Sequence, residues 1–519
     1  MSNVYSPSLR ATLVGARKMG PRPSNVYSPY NVLIIGGGLG GLFTAALLSK
    51  SGMRCLVLEK NAIIGGGLQS FRRGTQHFDT GMHLLGGFGE GQTLRRLCDY
   101  LGIYDQLRLK DVDETMDEIF MASTGDCYEI RGSREGFAQS WARYFPQEET
   151  GIARYVDALY RITDQLSLFH LRPSDTMAAL SEDSLMPADE FIAQYIEDEH
   201  LRQLLAYMNP MYGGRAGHTP AYIHAVINVL YIEGTSRFVG NSGQLADALR
   251  QVVEEAGGEV LNRAEVTRIV VQDHAVQRVE LADGRQFSAE KYVSAVHVRE
   301  LLRVTDEGAF PKIYRQRLED LPVGYSAFSV YLTLKESYPY VNRSGYVQRA
   351  WGKIWSLEEY NAEWPHGILY MTPPDSEDAT TASRMTITTP IPFSAVAPWA
   401  DTTTHQRGAE YQAWKAEMTE RVLDLLATRL PNIRQWIDRI EAASPLTIRD
   451  YYHSPQGSLY GIEKDAEHFV RWQIPVFTKV HNLYLSGQCV GLHGICGTPL
   501  NAVQTAEAIL GKNTLLEHI

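Results

Sequence analysis

The chain has few cysteines, no basic excess and no long apolar run, and each absence narrows what it does. Its five cysteines, Cys55, Cys98, Cys127, Cys489 and Cys496, are scattered and odd in number. They suit a reducing compartment better than a disulfide framework, so a cytoplasmic protein is expected. Their spacing matches no zinc motif, and no metal is expected. The formal net charge of −11 offers no basic field to neutralise phosphates, so nucleic acid is not an expected partner. No apolar stretch reaches the roughly 18 residues that a spanning helix needs. The longest, Ala221 to Ile232, contains His224 and Asn228. Composition is otherwise ordinary for a globular protein, and 519 residues make two or more domains. Acids are missing altogether from residues 1–30, which carry Arg10, Arg17, Lys18 and Arg22. The apolar core of a secretory signal is missing there too. A basic surface arm is the simpler reading, and an organellar transit peptide is the other that the composition allows.

What is present begins at Val32. Residues Val32 to Glu59 read as an apolar strand, a glycine turn, a helix, a second apolar strand and an acid. Gly36, Gly38 and Gly41 fit G-x-G-x-x-G, and the three glycines have separate roles. Gly36 permits the tight turn, Gly38 lets a pyrophosphate approach the backbone, and Gly41 lets the helix lie close to the sheet. The helix directs free N–H groups and its positive end at the phosphates. Glu59 stands where a carboxylate accepts the hydroxyls of an adenosine ribose. The stretch predicts a dinucleotide site.

Further along, a glycine cluster at Gly65, Gly66 and Gly67 precedes Phe78-Asp79-Thr80-Gly81-Met82-His83. Helical periodicity is expected over 150–168 and 188–210, then over 220–233 and from Gln244 to Ala256. Residues 259–296 read as a β-meander with strands Val266 to Gln272 and Val276 to Leu281. Phe328, Val330, Leu332 and Leu334 alternate with Ser329, Tyr331 and Thr333 in a strand with one apolar face. Tyr411, Trp414, Met418, Val422 and Leu425 fall at helical spacing. Near the end, Asn482 to Ser486 is an apolar strand followed by Gly487-Gln488, and a last helix is expected from Leu500 to Leu510. The expected division is a basic arm at 1–30, a nucleotide domain at 31–105, 215–300 and 476–519, and a substrate domain at 106–214 and 301–475.

The glycine turn, Glu59, the second glycine cluster and the C-terminal Gly-Gln before a glycine-led helix resemble the flavin-containing amine oxidase and phytoene desaturase superfamily. Gly65-Gly66 followed by the segment 78–83, with Arg237-Phe238 and the turn from Gly240 to Leu245, is most similar to its retinol saturase and carotenoid desaturase/isomerase branch. The resemblance implies an α/β protein: a Rossmann-like FAD-binding domain of the glutathione-reductase-type dinucleotide-binding superfamily, interrupted by an α+β substrate domain. It implies FAD rather than NAD. Gly36, Gly38, Leu39, Gly40 and Gly41 would face the pyrophosphate, and Glu59 with Lys60 the adenosine ribose. Gly65, Gly66 and Gly67 would line the diphosphate, and Val266 would meet the adenine through its main chain. Gly487 and Gln488 would hold the ribityl end, and Gly497 with Thr498 would point a helix N-terminus at the flavin pyrimidine. Gly67 stands where many relatives carry Arg, and Gln488-Cys489 where many carry an acid.

The resemblance further implies hydride transfer at flavin N5 on carbon–carbon bonds of an apolar polyene, carotenoid or retinoid-like substrate, by desaturation or saturation. His83 is the catalytic candidate, as proton donor or substrate-orienting group; its plainer role is a backbone hydrogen bond. Asp79 is expected to cap a turn. Tyr460, His493 and Cys496 are expected near the substrate pocket, and Trp414 and Phe191 in plain core. An apolar substrate implies peripheral membrane contact, with the helices of 150–210 as the expected surface. No second glycine turn for NAD(P) is evident, so the electron partner stays open. The rival readings are a flavin amine oxidase, which needs an aromatic cage and a lysine near N5; a polyene cis–trans isomerase; and a non-catalytic prenyl- or lipid-binding protein on the same fold, against which the intact glycine turn and Glu59 argue.

Overall fold

In the computed structural model, residues 29–81, 84–173 and 180–519 are described. Most of the basic arm and the catalytic candidate His83 lie outside them.

Val32–Ile35 and Cys55–Leu58 are short strands buried at every position. They lie at the centre of a five-stranded parallel sheet in the order Glu259–Leu261, Cys55–Leu58, Val32–Ile35, Lys291–Ser294, Leu483–Leu485. Continuous apolar strands suit a parallel sheet covered on both faces. Leu39–Lys50 is the helix after the glycine turn, buried from Gly40 to Ser49. It packs beside the C-terminal helix Gly494–Leu510. The Thr44 and Ser486 hydroxyls meet at 2.8 Å in the buried seam between the two ends of the chain.

Three expected elements differ from the structure. The meander of 259–296 divides. Glu259–Leu261 and Lys291–Ser294 join the parallel sheet, while Val266–Gln272, Ala275–Leu281 and Gln286–Phe287 form a separate antiparallel ribbon. The helical run 188–210 breaks into Ala188–Ala193, Glu199–Leu205 and a short turn at Asn209–Met211. Buried Glu148 accepts the N–H groups of Glu197 and Asp198 at 3.0 and 2.6 Å, and Asp198 caps the second helix through Leu201 N–H. Those bonds interrupt the ladder. The last helix starts at Gly494 rather than Leu500. Pro499 lies inside it as the sixth residue, so the Ile495 carbonyl has no N–H to accept from one turn on.

The second large sheet has seven strands: Ile437–Ala443, Ser326–Tyr338, Ala382–Ile391, Gly367–Thr372, Arg343–Gln348, Thr115–Met121 and Cys127–Arg131. The apolar face of Ser326–Tyr338 buries Phe328, Val330, Leu332 and Leu334 in a core shared with Met418, Val422 and Leu425 of the helix Gly408–Arg429. The opposite face, with Ala327, Ser329 and Tyr331, looks into the site. Ala221–Ile232 is buried all round, as a helix without a polar face must be. His224 within it is satisfied by the hydroxyls of Tyr155 and Tyr212 at 2.7 and 2.9 Å, and burial pulls its pKa down to about 3, so it is neutral. Among the described residues no helix is long and apolar enough to cross a membrane.

Candidate active site

One cavity, with about 2560 Å³ of empty space including its open mouth, runs from the parallel sheet to the inner face of the seven-stranded sheet. It opens at the carboxyl ends of the parallel strands, where Ile35, Leu58, Ala295 and Gly487 line it. Open α/β sheets place ligands there.

At this end the structure brings together Gly36, Gly38, Leu39, Gly40, Glu59, Lys60, Gly66, Gly67 and Val266. Gly36 turns the chain at φ +102°. A Cβ added at Gly38 would meet only the Gly66 Cα, at 3.9 Å, and one at Gly67 would meet nothing within 4 Å. The glycine floor is therefore open space facing the cavity. Gly41 and Gly65 do not line it. A Cβ at Gly41 would lie 1.9 Å from the Gly36 carbonyl oxygen, so Gly41 sets the distance between helix and strand. Gly65 holds a left-handed turn at φ +107° and donates its N–H to the Gly37 carbonyl at 2.7 Å. Gly40 also joins the two ends of the chain, since a Cβ there would lie 2.7 Å from the Gly487 Cα.

Glu59 is 7% exposed. Its Oε2 accepts Gly37 N–H at 2.8 Å and its Oε1 accepts Asn61 N–H at 2.7 Å. Burial pushes its pKa up, against the pull of those N–H groups. The carboxylate braces the glycine turn and keeps further lone pairs for a ligand hydroxyl. Lys60 pairs with His453 Nδ1 at 3.0 Å and Glu265 at 3.6 Å.

Asp79 reaches across the fold. Its Oδ1 accepts both the N–H and the hydroxyl of Ser242 at 2.8 Å, and that hydroxyl also reaches the Leu68 carbonyl at 2.8 Å. Asp79 thus clasps the start of helix Gly243–Glu255 to the glycine cluster. Burial pushes it from 3.8 up to about 6. The folded state therefore holds more protons than the unfolded chain between these values, and the stability from this site falls as pH rises from about 4 to 6. Asp79→Asn is expected to flatten that part of the melting-temperature profile against pH; an unchanged slope contradicts the assignment.

From the C-terminal segment come Gly487, Gln488 and Thr498. Gly497 is not at a free helix end: a Cβ there would lie 2.6 Å from the Leu492 Cβ, so it is a packing glycine. The first-turn residues that line the cavity are Gly494, Ile495 and Cys496. Asn501 holds this loop by donating to the Gly487 and Leu492 carbonyls at 3.0 and 2.5 Å. Nothing in the glycine pattern points to Asn501, although an asparagine inside an otherwise apolar helix is a signal for such a bond.

Tyr460 and Cys496 line the cavity; His493 does not. His493 sits behind Tyr460 with ring centroids 5.0 Å apart, and burial lowers its pKa to about 3. Burial pushes the Cys496 thiol up to about 12, so it is no nucleophile. Phe191 and Trp414 pack in apolar clusters.

The far arm of the cavity was not legible in the sequence. It is framed by Leu230 and Tyr231 of the buried helix and by Ala327, Tyr331, Leu369 and Met371 of the seven-stranded sheet. Among the described residues, the Asp, Glu, Lys and Arg side chains that line the cavity, Glu59, Lys60, Glu265, Glu300 and Arg303, all come from segments beside the parallel sheet. Among the described residues, no cluster of side chains could hold a metal ion. No large apolar residue of 150–210 is exposed among the described residues.

The open glycine floor, the buried acid beside it and the helix N-terminus fit FAD. The family model for flavin containing amine oxidoreductase matches residues 39–432. All-trans-retinol 13,14-reductase of Danio rerio is 24% identical, across 96% of this chain and 89% of its own. Prolycopene isomerase 2, chloroplastic, of an Oncidium hybrid cultivar is also 24% identical, across 92% and 84%. Cyclohexylamine oxidase from Brevibacterium oxydans superposes with a TM-score of 0.60 at 17% identity, covering 92% of this chain and 98% of its own, and so shares the fold. The chain belongs to the flavin containing amine oxidoreductase family and is an FAD-dependent oxidoreductase.

Proposed function

We propose that the protein desaturates or saturates carbon–carbon bonds of a long apolar polyene. The observation that carries this reading is the far arm: it is lined by Leu230, Leu369 and Met371, and among the described residues no Asp, Glu, Lys or Arg lies on its wall. The retinol reductase and carotenoid isomerase relatives support it. An amine substrate would bring an ammonium group into that arm, where no carboxylate of the described residues lines the wall. Among the described residues the one lysine on the cavity wall, Lys60, is at the nucleotide end and engaged by His453 and Glu265.

Bound FAD supplies the centre that gives or takes a hydride. The residues that would hold it are the glycine floor with Glu59 at the adenosine end and Gly487, Gln488 and Thr498 at the other. The first turn of Gly494–Leu510 favours negative charge beside it. The arm excludes water and holds the substrate extended against the cofactor. Burial raises the hydroxyls of Tyr231, Tyr331 and Tyr460, so all three stay protonated at neutral pH. Tyr460 donates to the Pro210 carbonyl at 2.7 Å, which fixes its ring at the wall. We assign the parallel-sheet segments 31–105, 215–300 and 476–519 to cofactor binding, and 106–214 with 301–475 to the substrate. Isomerisation of the same substrate is the second reading, favoured by the prolycopene isomerase relative.

The test is an anaerobic titration of the FAD-loaded protein with retinoids, carotenoids and primary amines while flavin absorbance is followed. Polyenes are expected to perturb or bleach the flavin and amines to leave it unchanged. Bleaching by amines alone contradicts the proposal.

A further inference from the structure

Lys464 is a cation that the fold encloses without an anion. Its side chain is 5% exposed. An ammonium donates and never accepts, and this one has no hydrogen-bond partner among the described residues. The two acids beside it in sequence are engaged elsewhere. Glu463 holds Arg215 at 2.7 Å, and Asp465 holds His468 at 2.8 Å. What lies against the charge is the face of Trp472, with the ring centroid 4.9 Å from Nζ. That ring is itself fixed, since its Nε1 donates to the Asp465 carbonyl at 2.7 Å. A ring face offsets part of the desolvation and takes up none of the N–H groups. Burying an unpaired charge destabilises a fold, so its presence calls for a use.

The segment that carries Lys464 packs against the part of the chain assigned to the flavin end. A Cβ at Gly461 would lie 3.3 Å from Gln488 Cγ and 3.4 Å from Cys489 Sγ. The titratable groups that face Lys464 from that loop are Cys489 and His493. Burial raises the Cys489 thiol and the Lys464 charge pulls against it; burial lowers His493 and the same charge adds to it. Arg299, beside the loop, pulls on Cys489 as well. Gln488 and Cys489 line the cavity, whereas Lys464 does not. The ammonium therefore stands behind the loop and meets no substrate.

We propose that Lys464 tunes the reduction potential of the bound flavin, its enclosed positive charge favouring the reduced state. This rests on the placement of the flavin end at Gly487, Gln488 and Thr498, and it holds for either direction of hydride flow. Uptake of a hydride adds one negative charge to the cofactor. An opposite charge held in a water-poor interior stabilises that state more than it would in water. Burial lowers the Lys464 pKa to about 8. Below that pH the ammonium is charged beside oxidised and reduced flavin alike, and its effect is complete. Above it, Lys464 is neutral beside oxidised flavin and regains its proton on reduction, so reduction takes up one proton more.

The test measures the flavin midpoint potential of the FAD-loaded protein against pH, by reductive titration with a reference dye, in the wild type, Lys464→Met and Lys464→Arg. At neutral pH, Lys464→Met is expected to hold reduced FAD at least ~10-fold less tightly relative to oxidised FAD, a fall of ~30 mV for a two-electron couple. Lys464→Arg keeps the charge and is expected to stay near the wild type. Above about pH 8 the wild-type profile is expected to steepen by one proton, ~30 mV per pH unit, and Lys464→Met to lack that step. An unchanged potential in Lys464→Met with full flavin content overturns the role of Lys464 and leaves the cofactor cradle standing. So does a wild-type profile without the added slope, which decides the matter even where the methionine variant fails to fold. A wild type that takes up no FAD overturns both.

Discussion

Gly38→Val is expected to give a folded protein without flavin, and Gly41→Val a protein that does not fold. The positions are three residues apart in one turn, and their surroundings are opposite. Gly38 has φ −79° and ψ −178°, which any residue adopts, and a Cβ there has only the Gly66 Cα, at 3.9 Å, for a neighbour. The valine would fill the cavity above the glycine floor. Loss of the close approach to the pyrophosphate is expected to weaken FAD at least ~100-fold, or ~2.7 kcal/mol. The melting temperature of the apoprotein should stay within a few degrees of wild type. A Cβ at Gly41 would lie 1.9 Å from the Gly36 oxygen. Backbone meets side chain there, and neither can yield without moving the helix off the sheet. A loss of roughly 4 kcal/mol or more is expected. The flavin-to-protein absorbance ratio and the apoprotein melting temperature separate the two outcomes. Flavin retained in Gly38→Val would refute the placement.

Leu369→Asp is expected to abolish polyene binding and spare the cofactor. Leu369 lies on the cavity face of the seven-stranded sheet, opposite Tyr346 on one side and Thr388 on the other. In the free protein a carboxylate at this wall keeps water from the cavity. An apolar ligand would strip that water and leave the charge unpaired, a cost of several kcal/mol. Polyene affinity should fall ~100-fold or more, with flavin content unchanged. Parallel loss of flavin would mean that the arm and the cofactor cradle are not separable.

The cofactor cradle was legible because its signals are local. Gly36, Gly38, Gly41 and Glu59 act within one strand–turn–helix–strand unit, and each is needed for a reason that one residue type satisfies. The substrate arm was not, because its parts meet through sheet order. Nothing local says that Gly345 pairs with Glu118 or Leu369 with Thr388. Nor does spacing reveal that Ser329 and Tyr331, on the less apolar face of their strand, look into a cavity. Asp79 and Ser242 form their clasp across the fold, so Asp79 read as a turn residue. Gly497 and Thr498 read as a helix start, whereas the helix begins earlier at Gly494 and carries both inside it.

Whether the enzyme carries out redox chemistry on carbon–carbon bonds is decided by product analysis in a single anaerobic turnover. The turnover is started once from oxidised and once from reduced FAD-loaded protein, with a polyene as substrate. The expected product differs from the substrate by one pair of hydrogens in one of the two experiments, with flavin bleached on desaturation or recoloured on saturation. A polyene recovered unchanged from both, while an amine offered to the oxidised protein is deaminated, would contradict that chemistry.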